Sequence, residues 1–349
     1  MPVSLTIALD AMGGDHAPQV VIAGADMARE RFSDLRFTLH GDEPALRRLL
    51  EARPQLAARC EVEHTPEQVD AHARPSQVLR QGRDTSMCLA IAAVKEGRAS
   101  AAVSAGNTGA LMALAKFVLK TLPGIERPAI ASLMPTRRSE TVFLDLGANA
   151  ECDAGNLVQF AVMGEVFARA VLGVPKPTVG LLNIGTEEAK GHDTIREAAA
   201  ALRASDLPIE FRGFVEGTDL TSGKVDVVVT DGFTGNVALK VLEGTVGLYS
   251  QFLREAFKSS MLAQVGYALA KPALQLLRQR LDPRRYNGAM FLGLNGIVVK
   301  SHGGTDALGF ANAIGVAVDL VQQGTNERIT AEMNRLEEEA IRRRHARAS

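Results

Sequence analysis

The turn at residues 7–18 (IALDAMGGDHAP) concentrates the residue types best suited to chemistry in this 349-residue chain. After an apolar strand come two carboxylates, two glycines and a histidine: Asp10, Gly13, Gly14, Asp15 and His16. The glycines let a backbone approach a ligand closely, and the start of the following helix offers unpaired N–H groups that favour anions. The turn matches neither GxGxxG nor GxxxxGKS/T, so it predicts neither a dinucleotide fold nor a P-loop. It is either an anion-binding turn or a glycine-rich connection whose aspartate caps the helix.

Five later strand ends carry similar residues. They contribute Ser104, Gly106, Asn107, Thr108 and Gly109; then Asp145, Gly147 and Asn149; then Asn183, Gly185, Thr186 and Lys190; then Asp231, Gly232, Thr234, Gly235 and Asn236; and finally Lys300 and His302. The carboxyl ends of parallel strands lie along one side of a sheet, where ligands bind. The six turns are therefore expected to converge on one crevice.

The elements that must position these turns alternate between strand and helix patterns. Strands are predicted near 3–9, 36–40, 60–64, 101–104, 129–134, 141–145, 178–184, 209–214, 225–230 and 297–300. Helices are predicted at 18–31, 43–52, 76–97, 107–120, 155–172, 192–204, 235–258, 305–323 and 325–345. This alternation predicts an α/β fold, a mainly parallel sheet flanked by helices. Residues 1–349 are expected to form one α/β unit with a central cleft, and the prolines of 172–178 mark either a lobe boundary or a helix–strand connection.

The strings DAMGGDHAP, SAGNTGALM, LLNIGTE, VVVTDGFTGNV and KSHG, in this order, resemble the bacterial acyl-acyl-carrier-protein:phosphate acyltransferase (PlsX) family. The resemblance spans residues 5 to about 320. It implies that phosphate attacks a fatty-acyl thioester, giving an acyl phosphate for phospholipid synthesis and free acyl carrier protein. It also implies a fold similar to isocitrate/isopropylmalate dehydrogenases and phosphate acetyltransferase.

This chemistry makes modest demands on the protein. Phosphate is already an oxyanion that needs positioning, and the leaving thiol has a pKa of ~8.5 by analogy with cysteine. No protein nucleophile, cofactor or metal is required, and Cys88 and Cys152 are interpreted as core residues. Lys190 is the expected cation at the exit of the Asn183 strand, and His16 could donate to the oxyanion or assist the thiolate. Asp10 and Asp15 are expected to orient His16 or cap the helix.

The remaining turn residues are expected to bind phosphate through backbone amides and short side-chain donors. This set comprises Asp10, Gly13, Gly14, Asp15, Ser104, Gly106, Asn107, Thr108, Gly109, Asn149, Gly185, Thr186, Asp231, Gly232, Thr234, Gly235, Asn236 and His302. For His302, a role as a donor and a role as a capped turn residue remain open.

Residues 250–285 form an amphipathic pattern with seven basic and two acidic side chains, and Pro272 is expected to interrupt it. The resemblance implies a helical hairpin here that forms a homodimer interface. Its tip would contact an anionic membrane surface or the acyl carrier protein. The expected contact residues are Leu262, Val265, Leu269, Lys271, Leu274 and Arg278.

The composition restricts the remaining possibilities. A net charge of −1 argues against nucleic-acid binding. Three scattered cysteines suit a reducing cytosol better than a disulfide or zinc scaffold. Neither a signal peptide nor a transmembrane run is recognisable, so a cytoplasmic, peripherally membrane-associated protein is expected. The tail, 325–349, is predicted to be a charged, solvated helix without an assigned function.

Two other functions remain open. A short-chain acyl-coenzyme A phosphate acyltransferase would share the phosphate site but would not need the apolar, basic hairpin. A non-catalytic membrane scaffold for lipid enzymes would need the hairpin but not the glycine-rich turns. An NAD-dependent dehydrogenase is disfavoured by the lack of a nucleotide motif.

Overall fold

A computed structural model describes residues 5–205, 207, 209–280 and 282–348, apart from side chains at 278–280, 283, 285, 337 and 339–348. The described residues form eleven strands in one sheet. These are β1 (Thr6–Asp10), β2 (Arg36–Gly41), β3 (Cys60–His64), β4 (Ala101–Ser104), β5 (Ala129–Pro135), β6 (Glu140–Leu144), β7 (Thr178–Leu182), β8 (Glu210–Val215), β9 (Val227–Val229), β10 (Ala289–Leu292) and β11 (Ile297–Lys300).

Twelve α-helices connect these strands in the described part of the chain. They are α1 (Gln19–Arg31), α2 (Glu43–Glu51), α3 (Pro54–Ala57), α4 (Pro75–Gln81), α5 (Ser86–Lys95), α6 (Thr108–Leu119), α7 (Ala154–Leu172), α8 (Asp193–Ala204), α9 (Gly232–Lys258), α10 (Met261–Arg280), α11 (Ala307–Gln322) and α12 (Thr325–Ala348). Short 3₁₀ turns occupy Gly217–Thr221 and Pro283–Tyr286.

The strand order is β3-β2-β1-β4-β11-β10-β5-β6-β9-β7-β8. The first five strands are mutually parallel, and so are the last four. Between these two groups, β10 pairs antiparallel with both β11 and β5, and β5 pairs antiparallel with β6. The predicted α/β class, with a mainly parallel sheet flanked by helices, is confirmed.

The antiparallel centre reverses the direction of one half of the sheet. Relative to β1, β4 and β11, the strands β6, β9 and β7 run the opposite way, so their carboxyl ends lie at the opposite edge. The expectation that all six glycine-rich turns share one edge is therefore wrong. Alternating strand and helix patterns predict parallel neighbours, whereas β10, a four-residue strand outside the predicted set, pairs antiparallel on both sides.

Alternating side chains along each strand feed two hydrophobic cores, one on each face of the sheet. In β1, Ile7 and Leu9 enter one core while Ala8 enters the other. Helices α1, α7 and α11 cover the first face, and α5 and α6 cover the second. Packing on both faces holds the strands in place, and with them the strand ends that carry the glycine-rich turns.

Several element boundaries differ from those predicted. The helix expected over 76–97 is two helices, because Gly82 ends α4 and Thr85 caps α5. Helix α10 runs through Pro272, which does not interrupt it; the hairpin turns at Ser259 and Ser260 instead. Residues 172–178 connect α7 to β7 through Gly173, whose φ of 65° is a left-handed helix cap.

The two ends of the chain need separate description. Val3, Ser4, Leu281 and Ser349, which fall within predicted elements, lie outside the described residues. The first half of α12 packs on the core through Ile329 and Met333 rather than being solvated throughout. Within the described part of the chain, no helix combines the length and the apolarity that crossing a membrane requires.

Candidate active site

A cleft of about 1890 Å³ lies over the antiparallel centre of the sheet. Its floor includes residues 130 and 132–135 of β5 together with Ala289 of β10. Helix α6 forms one wall, and α9 and α10 form the other. The cleft reaches turns at both edges of the sheet: Thr108, Gly109 and His302 at one, Gly147 and Asn236 at the other.

The cleft combines an apolar lining with an excess of positive charge. Its basic residues are Lys116, Lys120, Lys240, Arg254, Arg284 and Lys300, against the acidic Glu243, Asp282 and Asp306. Lys240 pairs with Glu243 at 2.7 Å, and Arg284 pairs with both aspartates. The other four cations form no ion pair within the described residues. The lining therefore suits a molecule that has an apolar part and an anionic part.

Asp10 anchors the turns at the first edge. It is 1% exposed, and its two carboxylate oxygens accept hydrogen bonds from Ser86 and Ser104, each at 2.6 Å. Burial raises its pKa, while these hydroxyls and the amides of Met12 and Gly13 oppose that shift. Asp10 thus holds the turns of β1 and β4 together; the expectation that it orients His16 or caps α1 is wrong.

The glycines of this edge allow three loops to pack closely. A Cβ on Gly13 would overlap the Asp10 carboxylate and lie 2.9 Å from the amide nitrogen of Gly106. Gly14, with a φ of 108°, lies against Ala105 and the carbonyl of Gly303. The amide of Asp15 donates to that same carbonyl at 3.0 Å. The Asp15 and His16 side chains are exposed and, among the described residues, are not part of the cleft lining.

Helix α6 begins beside this cluster. The Asn107 side chain caps it by accepting from Ala110 at 2.9 Å and donates to the carbonyl of Ala71 at 2.7 Å. The first amides of a helix have no helical partners, and the residues that carry them here, Thr108 and Gly109, line the cleft. The start of α6 therefore offers donors to an anion.

The turn after β11 contributes Lys300 and His302 to the cleft. The Lys300 ammonium donates to the carbonyls of Ala105, at 3.3 Å, and Ser301. Burial lowers its pKa to about 8, although Asp10 and Asp15 oppose this shift. The His302 amide donates to Asn287 at 2.8 Å, and its Nδ1 accepts from Gly304 at 3.2 Å.

Asp145 organises the turn after β6 at the other edge. One carboxylate oxygen accepts from the amides of Ile130, Gly147 and Ala148, and the other accepts from the amide and side chain of Asn149. Its side chain is fully buried, which raises its pKa against those hydrogen bonds. The Asn149 side-chain Nδ2 also donates to the carbonyl of Pro128 at 2.8 Å.

Helix α9 starts in contact with that turn because two of its residues are glycines. A Cβ on Gly232 would lie 2.7 Å from the carbonyl oxygen of Asn149, and one on Gly235 would overlap the carbonyl oxygen of Asp145. Asp231 caps the helix by accepting from the amide and hydroxyl of Thr234, at 2.8 and 2.7 Å. This contact places Asn236 in the cleft beside Gly147.

Asn183 organises the loop after β7. Its Nδ2 donates to the carbonyl of Lys190 at 3.1 Å, and its Oδ1 accepts from the amide of Ile184 at 2.9 Å. The Lys190 side chain is exposed and lies beside Gly185. Within the described part of the chain, this loop, including Thr186, does not belong to the cleft lining.

The structure thus brings part of the predicted set to the cleft itself. Thr108, Gly109, Asn236 and His302 line it, as does Leu274 of α10. Other predicted residues do not line the cleft but hold the turns in place through hydrogen bonds or close packing: Asp10, Ser104, Asn149, Asp231, Gly232 and Gly235. Lys190 and His16 lie on exposed loops at opposite edges of the sheet.

Sequence reasoning did not select three residues that matter here. Ser86 lies outside every glycine-rich string, and only its bond to Asp10 reveals it. Asp145 and Lys300 lie within the glycine-rich turns of the sequence. Each is a charged residue at the end of an apolar strand, a position that could have predicted a role at the site. Among the described residues, no group of three or more His, Cys, Asp or Glu side chains could hold a metal ion.

The chain is similar to known proteins over most of its length. A family described as fatty acid synthesis protein matches residues 5–328. A phosphate acyltransferase of Rhodospirillum centenum is 66% identical over 331 residues, covering 95% of this chain and 93% of that one. Another, of Paramagnetospirillum magneticum, is 61% identical over 336 residues, covering 96% of each.

Solved structures share the fold at low identity. A phosphotransacetylase from Streptococcus pyogenes has a TM-score of 0.62 and 17% identity, over 91% of this chain and 94% of that one. A 4-hydroxythreonine-4-phosphate dehydrogenase from Klebsiella pneumoniae has a TM-score of 0.54 and 17% identity, over 92% and 99%. At this identity the likeness concerns the fold alone.

Replacing Gly235 with alanine tests the contact between α9 and the Asp145 turn. The added Cβ must push the helix start away, so we expect the free energy of unfolding to fall by roughly 1–3 kcal/mol. Gly247→Ala is the matched control, because a Cβ there meets nothing within 4 Å. Alanine should stabilise that position by up to about 1 kcal/mol. Urea unfolding checks both variants, and equal stabilities would contradict the contact.

Proposed function

The chain belongs to the fatty acid synthesis protein family and is an acyltransferase of the phosphate acyltransferase type, and from this premise we propose its substrates. It transfers a long-chain acyl group from acyl carrier protein to inorganic phosphate. The products are an acyl phosphate, which feeds phospholipid synthesis, and free carrier protein. The single observation that carries the proposal is the cleft, where an apolar lining adjoins the start of a helix and cations that form no ion pair with any described residue.

The two substrates would bind to different parts of the cleft. The acyl chain packs against apolar residues such as Met112, Leu242 and Phe257. Phosphate binds at one of two helix starts, that of α6 at Thr108 and Gly109 or that of α9 at Asn236. No protein nucleophile is needed. Burial also raises the pKa of the Cys152 thiol to about 12, which leaves that thiol protonated and unreactive at neutral pH.

Two residues are proposed to act on the tetrahedral intermediate, and Asn183 is proposed to position one of them. Lys190 pairs with the phosphate or the developing oxyanion, and His16 donates to the oxyanion or to the leaving thiolate. Asn183 contributes through its hydrogen bond to the Lys190 carbonyl, which fixes the loop. Lys190 and His16 lie on exposed loops and do not line the cleft of the chain described. To act on the intermediate, each would have to reach it from outside that cleft.

Helix α10 is proposed as the surface for the carrier protein or an anionic membrane. Met261, Leu262, Val265 and Leu269 are 58–85% exposed on it, and Lys271 adds positive charge. The side chain of Arg278 lies outside the described part. Such a face suits a peripheral, cytoplasmic enzyme whose product enters the membrane.

Helix α9 is proposed as the homodimer interface. Phe233, Val237, Val241, Leu248 and Phe252 form an exposed apolar ridge along it, each 48–67% exposed. The helix buries only Gly232 and Gly235 among its described residues. A second copy of the same ridge would cover this surface by two-fold symmetry.

The substrate proposal is tested by incubating the protein with long-chain acyl carrier protein, with and without phosphate. We expect phosphate-dependent thiol release and trapping of the product as a hydroxamate with hydroxylamine. Preference for short-chain acyl-coenzyme A would favour the alternative acyltransferase. Thiol release without phosphate would indicate a thioesterase, and no release from any thioester would favour the scaffold.

Lys190→Ala tests the proposed cation. Loss of oxyanion stabilisation should lower kcat by roughly 10²–10³-fold. Lys176→Ala, on the exposed 172–178 connection, serves as the control for loss of a surface lysine. Turnover equal to that of the parent in a folded Lys190→Ala protein would contradict the role.

Leu262→Glu tests the α10 surface. A charge at a position 82% exposed should leave folding intact but reduce sedimentation with anionic vesicles and raise KM for acyl carrier protein. Gln264→Glu, on a different face of the helix, places the same charge where little effect is expected. Loss of vesicle binding alone identifies the membrane, and a raised KM alone identifies the carrier protein.

Val241→Glu tests the α9 interface. Two buried glutamates facing each other across a symmetric contact should shift the protein from dimer to monomer in sedimentation equilibrium. The Gln264→Glu variant is again the control. A parent protein that sediments as a monomer at micromolar concentration would rule the dimer out.

A further inference from the structure

Lys300 differs from the other basic residues of the cleft. Of the six, Lys300 alone is partly buried, whereas the other five are exposed. Its Nζ bonds to two backbone carbonyls, Ala105 and Ser301. Among the described residues it has no carboxylate oxygen within 4 Å, in contrast to Lys240 and Arg284.

A partly buried ammonium that forms no ion pair is unfavourable, and proteins normally pair such groups. The two carboxylates that act on Lys300, those of Asp10 and Asp15, do not form an ion pair with it. Asp10 is engaged by two serine hydroxyls, and the exposed Asp15 lies against Gly303 and Gly304. Both carboxylates act on the ammonium only through their charge. An anion bound in the cleft would supply the missing charge.

The surroundings of Lys300 suit a phosphate. Its Nζ contacts the carbonyl of Ala105, three residues before α6 begins at Thr108. The residues at that helix start, Thr108 and Gly109, line the cleft together with Lys300 and His302. An oxyanion there would meet an ammonium and backbone amides at once, which is a common protein solution for phosphate.

We propose that Lys300 binds a phosphate oxyanion in the cleft, and specifically the inorganic phosphate that accepts the acyl group. This inference rests on the proposed function and deepens it, because it places the acceptor at the β4–β11 edge rather than at Lys190. The phosphodiester of the carrier's or coenzyme's prosthetic arm has the same chemistry. The two sources are separated kinetically.

The first experiment measures KM for phosphate and for the acyl thioester separately. A charge-assisted hydrogen bond lost in Lys300→Met should raise KM for phosphate by roughly 10- to 100-fold and leave KM for the thioester little changed. Lys224→Met is the matched control, because Asp219 already neutralises that lysine at 3.1 Å and it lies outside the cleft lining. Its KM for phosphate should stay within twofold of the parent.

The second experiment uses pH, with Lys300→Arg as the comparison. An ammonium whose pKa is about 8 is charged below that pH and neutral above it. In the parent, KM for phosphate should therefore rise as pH increases from 7 to 9.5. A guanidinium stays charged over this range, so the rise should be absent in the arginine variant. Asp10, Asp15, His302 and the ionisation of phosphate itself are common to both proteins and cancel in their ratio.

The outcomes separate this inference from the substrate proposal. If the parent shows no phosphate-dependent turnover, the proposed function fails. If the parent is active and folded Lys300→Met keeps its KM for phosphate, or only its KM for the thioester rises, the assignment of Lys300 fails. Should Lys300→Met not fold, parallel pH profiles for the parent and Lys300→Arg would still overturn it.

Discussion

The antiparallel pair β5 and β10 is the constraint on which the rest of the structure depends. It joins two parallel groups of strands that run in opposite directions. The polar turns at strand ends are therefore divided between two edges, and the floor formed by β5 and β10 lies between them. A long cleft over this floor can touch both sets of turns at once. A single parallel sheet would have gathered the turns at one edge and left no such floor.

Two buried aspartates hold the turns in comparable ways. Asp10 uses serine hydroxyls from two other segments, while Asp145 uses backbone amides of its own loop and of β5. In both places a buried carboxylate outside the cleft lining fixes the backbone of a turn, so its charge does not face an incoming anion. The glycines complete this design, because Gly13 and Gly235 let neighbouring segments approach these carboxylate turns without a Cβ between them.

The sequence carried the fold class, most strand positions and the six turns, because apolar strands ending in Gly, Asn and Asp are a strong local pattern. It could not reveal strand direction. Residues 289–292 are too short to stand out, and pairing is a long-range property. Pro272 was misjudged because a proline breaks helices on average, whereas exposed α10 accommodates it. Ser86 and Lys300 depend on contacts across 76 and 195 residues, which no local pattern encodes.

The attachment of α9 has a consequence for motion. The helix is anchored by Gly232 and Gly235 at its start, and Ala238, Leu239 and Leu242 pack partly buried against the core; the rest of its described length buries no residue. The cleft floor, in contrast, belongs to a sheet in which all eleven strands are joined by hydrogen bonds. Opening of the cleft should therefore resemble a lever swinging from a fixed base at residues 232–242 of α9, with amplitude growing toward the α9–α10 tip. The polar turns would stay still during the swing, so a long acyl chain could enter and leave without disturbing the residues that hold phosphate.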